Sequence, residues 1–215
     1  DHKRTSDMMK TFIVECSVAG IGKKAREEAR EELRETIDCA VDSQAQGSTV
    51  ALLDTHVTAN KIFLVMEAAT EDEVLQVCND TSVSVDQIQC VRWALISRTA
   101  DRGFFQSLRK YLVTRDCPFI GMCTEDEQRR MAAVGEQNNR IFGATLQWDC
   151  SFVFDNTIMC VAYSPSAATL LQQASCSDLP PVKSIYQVKY KLEGKKDLDN
   201  QVNASPVSPN GIACT

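Results

Sequence analysis

The sequence predicts an α+β protein built from two tandem ferredoxin-like βαββαβ modules packed as a pseudo-dimer, either an α+β barrel or sheet on sheet. Two observations carry this. First, the chain resembles itself at an offset of about 99 residues: Lys10-Thr11-Phe12-Ile13-Val14 through Gly20-Ile21-Gly22 matches Lys110-Tyr111-Leu112-Val113-Thr114 through Phe119-Ile120-Gly121. Val57 to Val65 then aligns with Val153 to Val161, and Gln87 to Val91 with Ser184 to Val188. Second, strand and helix periodicities alternate in the same order in both copies. Module 1 spans 10–96, a linker 97–110, module 2 110–191 and a C-terminal tail 192–215.

The elements follow in order. Phe12 to Val18 is β-rich and ends at Gly20 and Gly22, which punctuate it. Ala25, Ala29, Leu33, Ile37 and Val41 then recur every fourth residue between Glu and Arg, one apolar stripe on a charged helix. A hairpin follows, Thr49 to Asp54 and Lys61 to Ala68, turning near Ala59-Asn60. Thr70-Glu71-Asp72-Glu73 reads as a capping box, as does Thr124-Glu125-Asp126-Glu127 in the second copy. Gln87 to Ile96 and Ser184 to Lys191 close the two copies as single strands. The linker holds the apolar Phe104, Phe105 and Leu108 and reads as ordered; from Gly194 the composition turns to Pro, Asn and Ser, as in an extended tail.

Composition narrows the function classes. With 29 acidic against 23 basic residues and a formal charge of −6, the chain lacks a phosphate-neutralising surface, which argues against nucleic acid as a partner. No apolar run approaches the roughly 18 residues that a membrane span needs. Ten cysteines and two sequons, at Asn79 and Asn203, point to an exported, oxidising environment, with buried thiols in the cytoplasm as the alternative. The chain opens at Asp1 rather than Met, which leaves open whether a targeting segment precedes it. Cys16 and Cys90 lie on strands that neighbour each other in this fold and are candidates for a bridge; Cys214 is expected to pair with the globular body or with another molecule.

The repeated string resembles a known family. Gln147-Trp148, Ser151-Phe152-Val153, Asp155-Asn156, Cys160-Val161 and Pro181 are similar to the small bacterial ferredoxin-like proteins of a domain-of-unknown-function family that includes nickel-binding members. The resemblance covers about 10–96 and 110–191. It implies the fold, and it implies nickel or another divalent metal as cofactor, held by a His after the Trp of the second strand and a His in the second helix. Here those positions fall on Asp54 and Val77 in copy one and on Cys150 and Ala174 in copy two. A lone Asp or Cys does not fill a coordination shell, so weak metal binding at most is expected.

The candidate site residues are few. The sequence holds two histidines, His2 and His56, and His56 near Asp54 is a metal or surface hydrogen-bonding candidate. Strand alternation puts Trp148 and Cys150 on one face, and Cys150 is the best single nucleophile or ligand. Glu15, Arg92 and Arg115 are polar groups in apolar strand runs, candidates for orienting a ligand. The reading that follows is a non-catalytic binding or assembly module for a small ligand, a metal ion or a protein partner. The alternatives are a cavity enzyme of the dimeric α+β barrel type, cofactor-free or heme-dependent, and an extracellular polymer-forming subunit that assembles through sheet edges and tail.

Overall fold

In the computed structural model of the chain, the described residues are 9–34, 38, 50–79, 83–98, 107–143, 145–175 and 179–192. They divide into two units, one of the described residues up to Cys90 together with Tyr190–Leu192 and one of those from Val91 to Lys189.

In the first unit, β1 (Lys10–Ser17) leads through a 3-10 turn (Ile21–Lys23) to α1 (Arg26–Glu32), then β2 (Ala51–Val57), β3 (Lys61–Ala68), α2 (Glu71–Asn79) and β4 (Val85–Cys90). The sheet order is β10-β2-β3-β1-β4, all antiparallel, where β10 is Tyr190–Leu192. The second unit contains β5 (Trp93–Ile96), β6 (Arg109–Asp116), α3 (Glu125–Phe142), β7 (Gln147–Val153), β8 (Thr157–Ser164), α4 (Ala167–Ser175) and β9 (Val182–Gln187), in the order β5-β7-β8-β6-β9. Setting aside the edge strands β10 and β5, the remaining four strands of each sheet, β2-β3-β1-β4 and β7-β8-β6-β9, have the ferredoxin-like order.

The duplication is visible at the level of single groups. β1 and β6 show the same burial sequence residue for residue. After each strand the chain enters a positive-φ turn, at Gly20 (φ 74°) and at Phe119 (φ 64°). In both copies an asparagine carbonyl oxygen accepts from that residue's amide at 2.9 Å, Asn60 for Gly20 and Asn156 for Phe119. The capping boxes form as well. Thr124 Oγ1 accepts from the Glu127 amide at 3.4 Å while Glu127 Oε2 accepts from the Thr124 amide at 2.8 Å. In α2, Thr70 Oγ1 accepts from the Glu73 amide at 3.3 Å, but the Glu73 carboxylate reaches one residue further back, to the Ala69 amide.

One expectation fails in an informative way. The runs Gln87 to Ile96 and Ser184 to Lys191 are not single strands. Each breaks at a two-residue joint, Val91-Arg92 and Val188-Lys189, and the short piece beyond it enters the sheet of the other unit. β5, from the end of the first repeat, pairs with β7; β10, from the end of the second, pairs with β2. The module boundary therefore falls at residue 91 rather than after 96, and the second unit ends at 189.

Apolar residues of each sheet pack under its helices. In the first unit Phe12, Val14, Leu64 and Met66 meet Val74, Val77 and Cys78 of α2, and Leu192 of β10 joins the same cluster. In the second unit Tyr111, Val113 and Ala162 meet Leu170 of α4. Trp148 packs against Gly135 of α3, where an added Cβ would lie 2.5 Å from the indole Cε3. No helix among the described residues is long and apolar enough to cross a membrane.

Candidate functional site

Two polar clusters distinguish the units. In the first, register aligns Lys191, His56, Phe63, Glu15 and Gln87 in one row across all five strands, on the face turned away from the helices. A β-bulge between Leu52 and Asp54 brings Asp54 onto the same face. The Asp54 carboxylate stands 3.5 Å from His56 Nε2 and 2.8 Å from Lys191 Nζ, and its other oxygen accepts from the Thr55 amide at 2.8 Å. Glu15 pairs with Lys61, which also reaches Asp86 at 3.2 Å. The Ser17 hydroxyl, donating at 2.6 Å, and Lys61 beside it hold the Asp86 carboxyl below the usual range. Each charge in this cluster has an opposite partner within it. Chemically it is a clasp that ties β10 to β2 and β1 to β4.

The second unit is different. Trp93, Val153, Ile158, Arg115 and Val182 form a row across its five strands on the helix-bearing face. Trp93 is 7% exposed and Arg115 5%. Arg115 Nη1 donates to the Pro180 carbonyl, and its guanidinium also hydrogen-bonds the Cys160 thiol. That thiol accepts from Ser151 Oγ at 3.2 Å, which accepts in turn from Trp148 Nε1 at 2.9 Å. Burial pushes the Cys160 thiol up, outweighing the opposing pull of Ser151 and Arg115, so it is a neutral thiol at pH 7. Two donors of the row, Trp93 Nε1 and Arg115 Nε, are buried without an acceptor among the described residues. Among the described residues no carboxylate pairs with Arg115. Val153, Ile158, Ile120 and Met131 share the apolar cluster around Trp93.

The structure separates several residues that the sequence groups together. A bulge between Trp148 and Cys150 pairs Trp148 with Ala162 but Cys150 with Val161, so the two side chains fall on opposite faces rather than the same one. Asn139 of α3 seals this bulge: its Oδ1 accepts from the Trp148 amide at 2.5 Å and its Nδ2 donates to the Trp148 carbonyl at 2.8 Å. Arg92 lies at the joint before β5 and makes a two-pronged, exposed ion pair with Asp155 at 2.6 and 3.1 Å. Glu15 and Arg115 face different sides of different sheets.

The thiols and metal candidates also resolve. Cys16 lies opposite Val85 and Cys90 opposite Phe12, four residues apart along β1, about 13 Å at strand rise and too far for a disulfide. Cys16, Cys117, Cys123 and Cys160 are free thiols. Asp54 and His56 belong to the first unit and Cys150 to the second. Among the described residues no three His, Cys, Asp or Glu side chains group as a metal site. Asn79 ends α2 and is exposed; Asn203 and Cys214 lie outside the described residues. Sequence reasoning did not single out Trp93 or Asn139. An indole in a four-residue apolar strand was the signal for the first; nothing local signals the second.

No family model and no curated protein matches the chain. Solved structures similar to it include a mutant chlorite dismutase from Candidatus Nitrospira defluvii, at 7% identity and a TM-score of 0.46 over 85% of this chain and 92% of that one. Chlorite dismutase from the same organism in complex with imidazole has a TM-score of 0.45 at 7% identity, over 86% of this chain and 92% of that one. A heme-binding protein from Thermus thermophilus has a TM-score of 0.45 at 8% identity, over 84% of this chain and 90% of that one.

Proposed function

We propose that the chain is a non-catalytic binding module for a small ligand, with Trp93 and Arg115 of its second unit as the candidate donors. One observation carries this: two buried groups that can only donate, on one row of one sheet face, lack acceptors among the described residues. A buried donor without a partner costs about 1–3 kcal/mol, and more when charged, so two of them in one cluster mark a place where something else supplies the acceptor. Binding rather than chemistry follows from the neighbours. The Cys160 thiol is held neutral, and among the described residues its hydrogen-bond partners are Ser151 and Arg115, neither of which is a base at pH 7.

Heme, the cofactor of one rival reading, is held most often by an axial imidazole. Among the described residues the one imidazole is His56, which is 3% exposed and engaged with Asp54 in the other unit. His56 is therefore engaged in an ion pair rather than presented to an axial position. The resemblance to a nickel-binding family supports kinship in fold; Asp54, Val77, Cys150 and Ala174 stand where its histidines would be.

Native mass spectrometry of the purified intact chain tests the proposal. The expected result is an adduct of fixed mass that denaturation releases and that Arg115→Met and Trp93→Phe both lose. A native mass equal to the bare chain, or an adduct that survives both substitutions, overturns it.

A further inference from the structure

The two strands that leave their own repeat carry one pattern. Val91-Arg92-Trp93-Ala94-Leu95 and Val188-Lys189-Tyr190-Lys191-Leu192 share a valine, a basic residue, an aromatic and, two residues on, a leucine. Each docks antiparallel on an outer strand with its aromatic opposite the same valine of the repeat, Trp93 opposite Val153 of β7 and Tyr190 opposite Val57 of β2. The aromatic and the leucine fall on one face and pack into the apolar cluster of the receiving unit, Tyr190 and Leu192 in the first, Trp93 and Leu95 in the second. Polar groups fix the register. The Tyr190 hydroxyl donates to the Ile21 carbonyl at 2.9 Å and Lys191 meets Asp54 at 2.8 Å, while the Arg92 and Ser97 amides donate to the Val153 and Asp149 carbonyls at 2.8 and 2.7 Å. β2 and β7 thus each offer a built groove for an extended segment with a basic residue, an aromatic and a leucine at these spacings.

The half of the chain up to Ile96 lends β5 to the second unit, the half from Arg109 lends β10 to the first, and residues 97–108 alone connect the two halves covalently. Nothing in either groove distinguishes a strand of its own chain from the identical strand of another copy. We infer that the β2 and β7 edges are exchange sites for a second copy of this chain. In the resulting dimer each first-unit sheet takes β10, and each second-unit sheet β5, from the other copy. Each strand pairing of the monomer recurs there, so the length of the connection decides between the two states. Ile96 lies in one row with Cys150, Val161 and Leu112, so three strand spacings of about 4.8 Å and three residues of about 3.3 Å rise put Ile96 and Arg109 about 17 Å apart. The native connection spans this within one chain, since each residue reaches up to about 3.6 Å. It sets an effective concentration on the order of 1 mM, so the native chain is a monomer when dilute and exchanges when it folds near that concentration.

Size exclusion with light scattering tests this on the intact chain and on a variant lacking residues 99–107. The variant keeps Ser97, Arg98 and Leu108, whose backbone steps reach about 14 Å and so fail to join Ile96 to Arg109 within one sheet. Expected for the variant is twice the chain mass at micromolar concentration. A second variant, in which Gly and Ser replace residues 99–107 at unchanged length, should run at the mass of one chain. The native chain refolded from urea at about 1 mM should yield a dimer that persists on dilution, and monomer alone when refolded a thousandfold more dilute. A deletion variant that folds as a monomer, a Gly/Ser variant as dimeric as the deletion, or a native chain that stays monomeric after concentrated refolding overturns the exchange. Circular dichroism checks that the deletion variant folds; where it does not, the other two measurements decide.

Discussion

Lys191 places its ammonium 2.8 Å from the carboxylate of Asp54 and so fastens a strand from the far end of the chain to one from its first third. Lys191 is about half exposed and Asp54 mostly covered, so solvent screens the pair only in part. A double-mutant cycle with Asp54→Asn and Lys191→Met, read by urea denaturation, should give a coupling of about 0.5–1 kcal/mol. A coupling of zero would mean that β10 is held by its backbone ladder, by Leu192 and by Tyr190, whose hydroxyl donates to the Ile21 carbonyl at 2.9 Å.

Phe119 sits at φ 64° with 72% of its surface exposed, where the first repeat uses Gly20. Left-handed backbone costs a side-chain-bearing residue roughly 1–2 kcal/mol, while glycine adds back about 0.5–1 kcal/mol of unfolded-chain entropy. Phe119→Gly should therefore stabilise by about 0.5 kcal/mol, and Phe119→Ala, which keeps the strain, should not. Denaturation midpoints of the three proteins check this.

Gly135 lies inside α3, where alanine normally gains about 1 kcal/mol of helix propensity. Contact at 2.5 Å with the Trp148 ring reverses the sign, because overpacking costs about 1–3 kcal/mol. Gly135→Ala should lower stability by about 1–2 kcal/mol, and Trp148→Phe added to it should recover part of the loss. Thermal melts of the single and double variants decide the matter.

Burial, then the neighbouring Cys78, Asp86 and Glu15, push the Cys16 thiol up to about 12 from an ordinary 9.0. In the unfolded chain this thiol gives up its proton near pH 9, in the folded chain only near 12. Above pH 9 the folded state thus holds the extra proton, and stability falls as pH rises between these values, by up to about 1.4 kcal/mol per unit. Cys160, Cys117 and Cys123, also raised, add losses of the same sign. Urea denaturation at pH 7, 9 and 10 should show the decline in the native protein and a shallower one in Cys16→Ala. Parallel slopes would count against Cys16 as a source.

Much of the architecture was legible because it is written in local chemistry. The capping threonines, the turn asparagines and the apolar alternation each act within a few residues, and each occurs twice. The exchange of β5 and β10 was not legible, since β-type alternation runs on through Val91-Arg92 and Val188-Lys189 and nothing in a strand pattern records which sheet receives it. The bulges after Leu52 and Trp148 were missed for a related reason: one extra residue inverts the facing of all that follow. That inversion moved Cys150 away from Trp148. The candidate site escaped because its key property, a donor without an acceptor, belongs to the packed molecule; the sequence showed Arg115 as a polar residue in an apolar run but could not show what it lacks.

The exchanged strands also bear on how the protein is made. The sheet of the first unit lacks its β10 edge until Tyr190–Leu192 has been synthesised, about 100 residues after Cys90. At roughly 5–20 residues per second, β2 waits on the order of 5–20 s on the ribosome with an open hydrogen-bonding edge. During that interval its Thr55, His56 and Val57 edge lies unpaired, and a nascent chain in that state is a natural client for chaperones and for strand pairing with its neighbours on the same message.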